Sequence, residues 1–231
     1  MAKLTVMEAT VISRAIVRAS LAAVLTFLAL GPVSAQGRHF GVTGAFDFYV
    51  LSLSWSPSFC EAVGDRGRSP ECGERPYSFV VHGLWPQFER GFPESCEVPA
   101  PRLPRRIVDS MLDLMPAPRL IYHEWDAHGT CSGLPPAAYF DEIRKARGKV
   151  KIPPEYMEVR SVLKVTPTEV KQNFIRANPG LSEASIAVEC DNRLREVRIC
   201  MDKDLKFRDC PDVARRSCRR DEIVMPPVRG Q

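Results

Sequence analysis

Residues 120–131 of this 231-residue chain read Leu-Ile-Tyr-His-Glu-Trp-Asp-Ala-His-Gly-Thr-Cys and concentrate groups that can transfer protons. The segment holds two of the chain's four histidines, His123 and His128, together with the carboxylate of Glu124. Its residues predict a short helix that stops at Gly129. Glu124 and His128 would share a face of that helix, because four residues make about one turn. The spacing therefore predicts an imidazole whose proton affinity is raised by a carboxylate one turn earlier.

The same segment lacks the spacing of a zinc-protease motif. That motif, His-Glu-x-x-His, has its histidines at i and i+4 so that both rings reach one ion. Here the run is His-Glu-x-x-x-His, which turns His123 and His128 about 140° apart on a helix. Two interpretations of the cluster stay open: a proton-transfer site, and a buried helix end whose histidines are only hydrogen-bonded.

The first 35 residues have the layout of a secretory signal peptide. Arg14 and Arg18 precede an apolar run over residues 19–30, and small residues at 33–35 supply a cleavage site. The apolar run is too short to span a bilayer comfortably, so an uncleaved anchor is the weaker alternative. The sequence thus predicts an exported chain, periplasmic or secreted, in which residues 36–231 form one domain without stable membrane association.

Composition allows one good-sized core, since 45% of the residues are hydrophobic. The formal net charge is +4, and three basic residues against Glu8 in the signal segment account for +2 of it. The total therefore predicts no strongly basic surface. The arginines of 215–220 either attract a polyanion or are ordinary solvated surface.

All eight cysteines follow the signal segment, and none forms a Cys-x-x-Cys pair. An even count in an exported chain favours disulfides over a zinc site. The residues alone leave the pairing open, because eight cysteines can be joined in many ways.

Periodicity predicts the remaining helices and strands. The predicted strands are 46–55, 77–81, 186–190, 194–201 and 205–207, and the predicted further helices are 105–115, 137–147 and 169–177, the last with Thr168 as N-cap.

The strand over 77–81 is followed by His82-Gly83-Leu84-Trp85-Pro86-Gln87. A histidine that leaves a buried strand just before a glycine is well placed to face a cleft, and the alternative is a histidine that caps a turn. Trp85 is either a core aromatic or a surface on which a nucleobase stacks.

Two separated stretches, Val81–Pro86 and His123–Cys131, together resemble the two active-site segments of the RNase T2 family. The likeness also includes Leu53–Cys60, so it covers nearly all of the chain after the signal segment. The resemblance implies an α+β fold: a single domain with a central antiparallel sheet flanked by helices and stapled by disulfides. It also implies a monomeric endoribonuclease that cleaves single-stranded RNA, leaves DNA intact and needs neither metal nor cofactor.

The resemblance further implies that His82 and His128 are an acid and base pair. His128 would accept the proton of the ribose 2′-OH while His82 protonates the leaving oxygen, which gives a 2′,3′-cyclic phosphate that is then hydrolysed to a 3′-phosphate. Glu124 would orient or charge-stabilise the site. Three further residues are implied to bind substrate, through phosphate, base stacking and base contact respectively: His123, Trp85 and Gln87.

The resemblance also implies a disulfide pairing. The implied pairs are Cys60–Cys72, Cys96–Cys131, Cys190–Cys218 and Cys200–Cys210.

One residue departs from the family pattern. Members commonly carry a lysine immediately before the second catalytic histidine, where this chain has Ala127. Arg119 is a candidate to substitute through space. The departure keeps open a catalytically weakened RNA-binding or signalling domain, and a third interpretation is a metal-dependent hydrolase with His82, His123, Glu124 and His128 as ligands.

Overall fold

The computed structural model describes residues 41–64, 69–73 and 75–229. The predicted signal peptide lies outside the described residues, so the model does not test it. Among the described residues, no helix combines the length and the hydropathy needed to cross a membrane.

The described residues form an α+β fold, as the resemblance implied. The strands are β1 (Phe48–Trp55), β2 (Phe79–Gln87), β3 (Leu163–Val165), β4 (Ile186–Cys190), β5 (Leu194–Met201) and β6 (Ile223–Met225). The helices are α1 (Ser56–Val63), α2 (Arg105–Met111), α3 (Pro118–Ala127), α4 (Pro136–Lys149), α5 (Pro167–Ala177) and α6 (Pro211–Ala214).

The main sheet has four strands in the order β2-β1-β5-β4, and every neighbouring pair is antiparallel. Alternate residues of each strand point to opposite faces of the sheet. One face carries Leu51 and Leu53 of β1 and Val197 of β5, which are fully buried in the main hydrophobic core. The opposite face carries Ser52 of β1 and Glu196 of β5, which are hydrogen-bonded to each other. The sheet therefore separates the main core from this second face, called the polar face below, which also holds a small apolar cluster of Phe48, Val50 and Cys200.

The first strand ends at Trp55, as predicted, and Pro57 lies in the first turn of α1, where a missing backbone N–H costs nothing. Two other predictions were wrong for identifiable reasons. The N-cap of the helix Pro167–Ala177 is Thr166 rather than Thr168, because Thr166 and Glu169 form a reciprocal capping box. The strand predicted over 205–207 is reduced to one bridge between Met201 and Phe207.

The four implied disulfides are all present in the structure. They join Cys60 to Cys72, Cys96 to Cys131, Cys190 to Cys218 and Cys200 to Cys210. Two of them, Cys190–Cys218 and Cys200–Cys210, attach the C-terminal segment to β4 and β5.

Candidate active site

His82 lies inside β2 rather than at its end, because the strand continues to Gln87. The pairing with β1 shifts at this point: Leu53 faces Val81 while Ser52 faces Gly83. His82 is thus the extra residue of a β-bulge, a feature that redirects a side chain. Its imidazole stands on the polar face of the sheet.

The His82 ring reaches across β1 to a carboxylate that the sequence did not indicate. His82 Nδ1 is 2.5 Å from Oε1 of Glu196, which lies on β5, two strands away in the sheet. Between them, the strand β1 presents the small side chains of Ser52 and Ser54, and Ser52 Oγ donates to Glu196 Oε2 at 3.0 Å. A bulky side chain at either serine would stand between the imidazole and the carboxylate.

Glu196 is held as an anion. Burial opposes its ionisation, but the hydrogen bond and charge of His82 and the guanidinium of Arg198 outweigh burial and lower the pKa of Glu196 to about 2. Arg198 donates two hydrogen bonds to Glu196 Oε2, at 3.0 and 2.9 Å, and a third to Glu189 at 3.0 Å. Burial disfavours the His82 cation, yet the neighbouring carboxylates of Glu196 and Glu124 outweigh it and raise the pKa of His82.

Glu124 approaches β2 from α3 at a glycine. A Cβ at position 83 would overlap the Glu124 carboxylate, so Gly83 lets the helix come close. Trp85 Nε1 donates to Glu124 Oε2 at 2.7 Å, and Glu124 Oε1 lies 3.6 Å from His82 Nε2. Burial raises the pKa of Glu124 to about 7, against the opposing effects of His82 and Trp85.

The expected support of His128 by Glu124 was wrong. The helix α3 ends at Ala127, and His128 has non-helical dihedral angles of φ −123° and ψ −41°. The carboxylate one turn earlier therefore turns to Trp85 and His82, while His128 Nδ1 is buried without a hydrogen-bond partner among the described residues. Burial, followed by the charges of His123 and His82, lowers the pKa of His128 to about 4.

Trp85 lies close to both candidate catalytic histidines. Its ring centroid is 5.2 Å from that of His82 and 5.4 Å from that of His128. The guanidinium of Arg198 lies 5.1 Å from the centroid of the same indole ring. The structure thus brings together the two histidines that the sequence proposed from stretches 46 residues apart.

One cavity, of about 360 Å³, opens on the His128 side of Trp85 and is called the base pocket below. Its walls include Trp85, Gln87, the exposed ring of Phe92, Arg198 and Arg216. Gln87 lies on the last position of β2, and its side-chain amide donates to the carbonyl of Pro86 at 3.0 Å. Both residues expected to contact a base therefore line one pocket with His128.

A second cavity, of about 640 Å³, opens on the His82 side and is called the leaving-group pocket below. It is lined by His82, Glu196 and, from the start of α3, Arg119 and Leu120. Arg119 thus brings a positive charge into the cavity that contains His82. Ala127 is 5% exposed, and its carbonyl accepts a hydrogen bond from the Ser95 backbone.

His123 is exposed on α3, with its ring centroid 6.4 Å from that of His128. It lies beside the pair rather than between its members. Within the part of the chain that the structure describes, no three His, Cys, Asp or Glu side chains form a group able to hold a metal ion.

Sequence reasoning missed Glu196 and Arg198. Their only signal in the sequence is a strand in which these two charged residues alternate with the apolar residues Val197 and Ile199. Alternation places both charges on one face, but it does not say which strand lies beside them. That information comes from the strand order.

Comparison with known proteins places this site in a family. The model of the Ribonuclease T2 family matches residues 46–210. A ribonuclease of Aeromonas hydrophila is 46% identical over 94 residues, which is 41% of this chain and 41% of that protein. A probable ribonuclease of Haemophilus influenzae is 30% identical over 177 residues, 71% of this chain and 61% of that protein. The chain therefore spans less than two thirds of the length of either relative.

Solved structures share the fold. An RNase-related protein from Calystegia sepium superposes with a TM-score of 0.64 at 20% identity, over 78% of this chain and 97% of that one. RNase NT in complex with 5′-AMP superposes with a TM-score of 0.53 at 24% identity, over 80% and 98% of the two chains. The family match covers most of the sequence and includes His82, Glu124 and His128. This chain belongs to the Ribonuclease T2 family.

Proposed function

We propose that this chain is an exported endoribonuclease that cleaves single-stranded RNA by transphosphorylation without a metal ion. The observation that carries the proposal is a pair of histidines whose ring centroids both lie within 5.4 Å of that of Trp85, one with a raised pKa and the other with a pKa lowered to about 4. An acid–base pair needs one protonated and one neutral imidazole in the same site at the same pH.

In the first step, neutral His128 accepts the proton of the ribose 2′-OH. The 2′-oxygen forms a bond to phosphorus, the bond from phosphorus to the 5′-oxygen breaks, and protonated His82 supplies the proton that the leaving 5′-oxygen requires. The products are a 2′,3′-cyclic phosphate and a free 5′-OH. In the second step the roles are exchanged: His82 accepts a proton from water as the water oxygen forms a bond to phosphorus. The bond from phosphorus to the 2′-oxygen breaks, His128 returns its proton to that oxygen, and the product is a 3′-phosphate.

Glu124 acts on the scissile phosphate, which lies between His82 and His128 in the proposed complex. Its Oε1 is buried, has no hydrogen-bond partner among the described residues and lies 3.6 Å from His82 Nε2. With a pKa of about 7 it carries a proton in mildly acidic solution and can donate to a non-bridging phosphate oxygen. A donor aimed at developing negative charge is among the stronger contributions to catalysis.

Glu196 is a positioning residue. By accepting the Nδ1 proton of His82 it fixes the ring so that Nε2 faces Glu124 and the cleft. Its negative charge also favours the imidazolium that the acid step needs. The base of the nucleotide with the attacking hydroxyl would stack on Trp85 and contact Gln87, and His123 would bind phosphate at the exposed edge.

Digestion of homopolymeric RNA by the oxidised chain in EDTA tests the proposal. We expect 2′,3′-cyclic phosphate products first and 3′-phosphates later, with no cleavage of the matching DNA, which lacks the nucleophile. Activity that EDTA abolishes would instead favour a metal-dependent hydrolase. Binding of RNA without cleavage would favour the weakened domain that Ala127 suggests.

The acid and base assignment has its own test. His82→Asn and His128→Asn should each lower turnover by about three orders of magnitude or more, because each removes one half of the proton relay. Circular dichroism and thermal melting check that both variants fold. Near-normal turnover in either variant would contradict the assignment.

A further inference from the structure

The C-terminal segment presents four arginines on an anchored loop. Arg215, Arg216, Arg219 and Arg220, called the arginine loop below, follow the helix α6 and are all exposed. Disulfides fix the segment before the arginines, at Cys210, and between them, at Cys218. The backbone N–H of Cys218 also donates to the carbonyl of Val188 on β4 at 2.7 Å. The loop is therefore attached to the sheet rather than extended into solvent.

One carboxylate orients two of these guanidinium groups. Asp212 accepts hydrogen bonds from both Arg215 and Arg216, the second at 2.6 Å, and its side chain is 15% exposed while theirs are 68% and 55% exposed. A single negative charge thus holds two positive ones, so the pair keeps a net positive charge. Each guanidinium retains N–H donors that suit the fork geometry of phosphate recognition.

Arg216 connects the loop to the reaction centre. It lines the base pocket together with Trp85 and His128, and it also lines an open depression with Arg215 and Arg219. A chain that leaves the base pocket past Arg216 therefore meets the rest of the arginine loop.

The proposed mechanism fixes which part of an RNA strand takes this route, and the inference rests on it. His128 accepts the 2′-OH proton and lines the base pocket, so the nucleotide on the 5′ side of the scissile linkage sits there. His82 protonates the leaving oxygen and lines the other cavity, so the nucleoside on the 3′ side sits in the leaving-group pocket. Nucleotides further to the 5′ side extend away from the base pocket.

We propose that the arginine loop is a second phosphate-binding surface, which takes the RNA backbone on the 5′ side of the scissile linkage. It contributes affinity for long substrates and has no part in the chemistry of a dinucleotide.

Three substrates with one cleavable linkage each separate this surface from the reaction centre. The first is a dinucleotide, the second carries the same linkage with a 5′ extension of deoxynucleotides, and the third carries the extension on the 3′ side. The variant is R215Q/R219Q/R220Q, which leaves Arg216 in the base pocket. The matched control is R102Q/R105Q/R106Q, which removes three exposed arginines near the start of α2 that line neither cavity.

For each protein we compare kcat/KM on an extended substrate with kcat/KM of the same protein on the dinucleotide. In the loop variant, the ratio for the 5′-extended substrate should fall about tenfold. The ratio for the 3′-extended substrate should not change. The slope of log kcat/KM against log salt on the 5′-extended substrate should become shallower by about two units, since each lost phosphate contact on a single strand removes about 0.7. The control variant should keep both ratios.

Equal losses on both extended substrates, or a loss in the control variant, would overturn the inference in favour of general charge attraction. If the wild type cleaves RNA but the loop variant keeps the same ratios as the wild type, the inference is overturned while the proposed function stands. A wild-type chain that cleaves none of the three substrates would overturn the proposed function, and this inference with it.

Discussion

Neighbouring groups shift the pKa values of the two site histidines in opposite directions. His82 lies between the carboxylates of Glu196 and Glu124, and its pKa is raised although its ring is largely removed from water. Burial, followed by the charges of His123 and His82, lowers the pKa of His128 to about 4, and its Nδ1 has no hydrogen-bond partner among the described residues. In the proposed reaction, the free chain is therefore competent from about pH 4 upward until His82 or Glu124, whose pKa is about 7, loses its proton.

Glu196→Gln tests the source of the high His82 proton affinity. The amide oxygen can still accept the Nδ1 proton, but the negative charge is gone, so the pKa of His82 should fall. Activity requires His82 protonated, and the alkaline limb of the kcat/KM profile should therefore move to lower pH, with about tenfold lower kcat/KM at pH 7. NMR titration of the His82 ring measures the same change directly.

Glu189→Gln is the matched control for that variant. Glu189 also pairs with Arg198, at 3.0 Å, and no contact joins it to His82. Its replacement should leave the alkaline limb in place. A limb that moves equally in both variants would mean that Arg198, not the Glu196 charge on His82, sets the profile.

Glu124→Gln should stabilise the folded chain at alkaline pH while impairing cleavage. The folded-state pKa of about 7 lies above the ordinary glutamate value of 4.5, so the fold favours the protonated acid. Stability is thus fully present below pH 4.5 and is lost as the pH rises through 7, by about 3 kcal/mol in total. The amide cannot ionise, so the free energy of unfolding should differ between variant and wild type at pH 8 but not at pH 4. An equal effect at both pH values would contradict a burial origin.

At the scale of elements, the sequence predicted which strand or helix carries a residue better than it predicted contacts between neighbouring strands. The helix that carries Glu124 followed from local patterns. The strand before His82 was also predicted, but its end was placed at residue 81, whereas β2 continues through His82 to Gln87. Glu196 did not, because its contact with His82 depends on β1 lying between β2 and β5 and on the small size of Ser52 and Ser54. Such lateral neighbours are set by strand order, which no local pattern encodes.

The relation between Glu124 and His128 failed for a different reason. Helical spacing puts residues four apart on one face only while the helix continues. Here α3 ends at Ala127 and a 3₁₀ turn begins at Gly129, whose missing side chain leaves room for the ring of Trp125. The change of backbone geometry at one residue redirects the carboxylate to Trp85 and His82.

Arg119, in the first turn of α3, should supply positive charge to the phosphate in place of the missing lysine. It lines the leaving-group pocket with His82, whereas Ala127 is buried against the chain. Arg119→Gln should therefore lower kcat about tenfold on a dinucleotide, in line with the loss of one electrostatic contact. Arg106→Gln, an exposed arginine on α2 outside both cavities, is the control. Equal kcat for wild type and Arg119→Gln would mean that Arg119 does not replace the lysine that is absent at position 127.

For the whole molecule, the disulfides do more than add stability, since two of them fix the C-terminal segment against the sheet. Cys190–Cys218 closes a separation of 28 residues and ends beside the arginine loop, whereas Cys60–Cys72 closes 12 residues next to α1. In the chain-entropy view the two contribute similarly, about 3–4 and about 3 kcal/mol. Their effects on RNA should nevertheless differ.

Removing each disulfide in turn separates stability from substrate binding. Both C190S/C218S and C60S/C72S should unfold at lower temperature by comparable amounts, as followed by thermal melting of the otherwise oxidised chain. Only C190S/C218S should also lose the advantage of a 5′-extended substrate over a dinucleotide, because only there is the arginine loop released from β4. The comparison is made well below both melting temperatures, so that a smaller folded fraction cannot imitate weaker binding. An undiminished 5′ advantage in C190S/C218S would mean that the arginines need no rigid support, and that their contribution is long-range charge attraction rather than a formed surface.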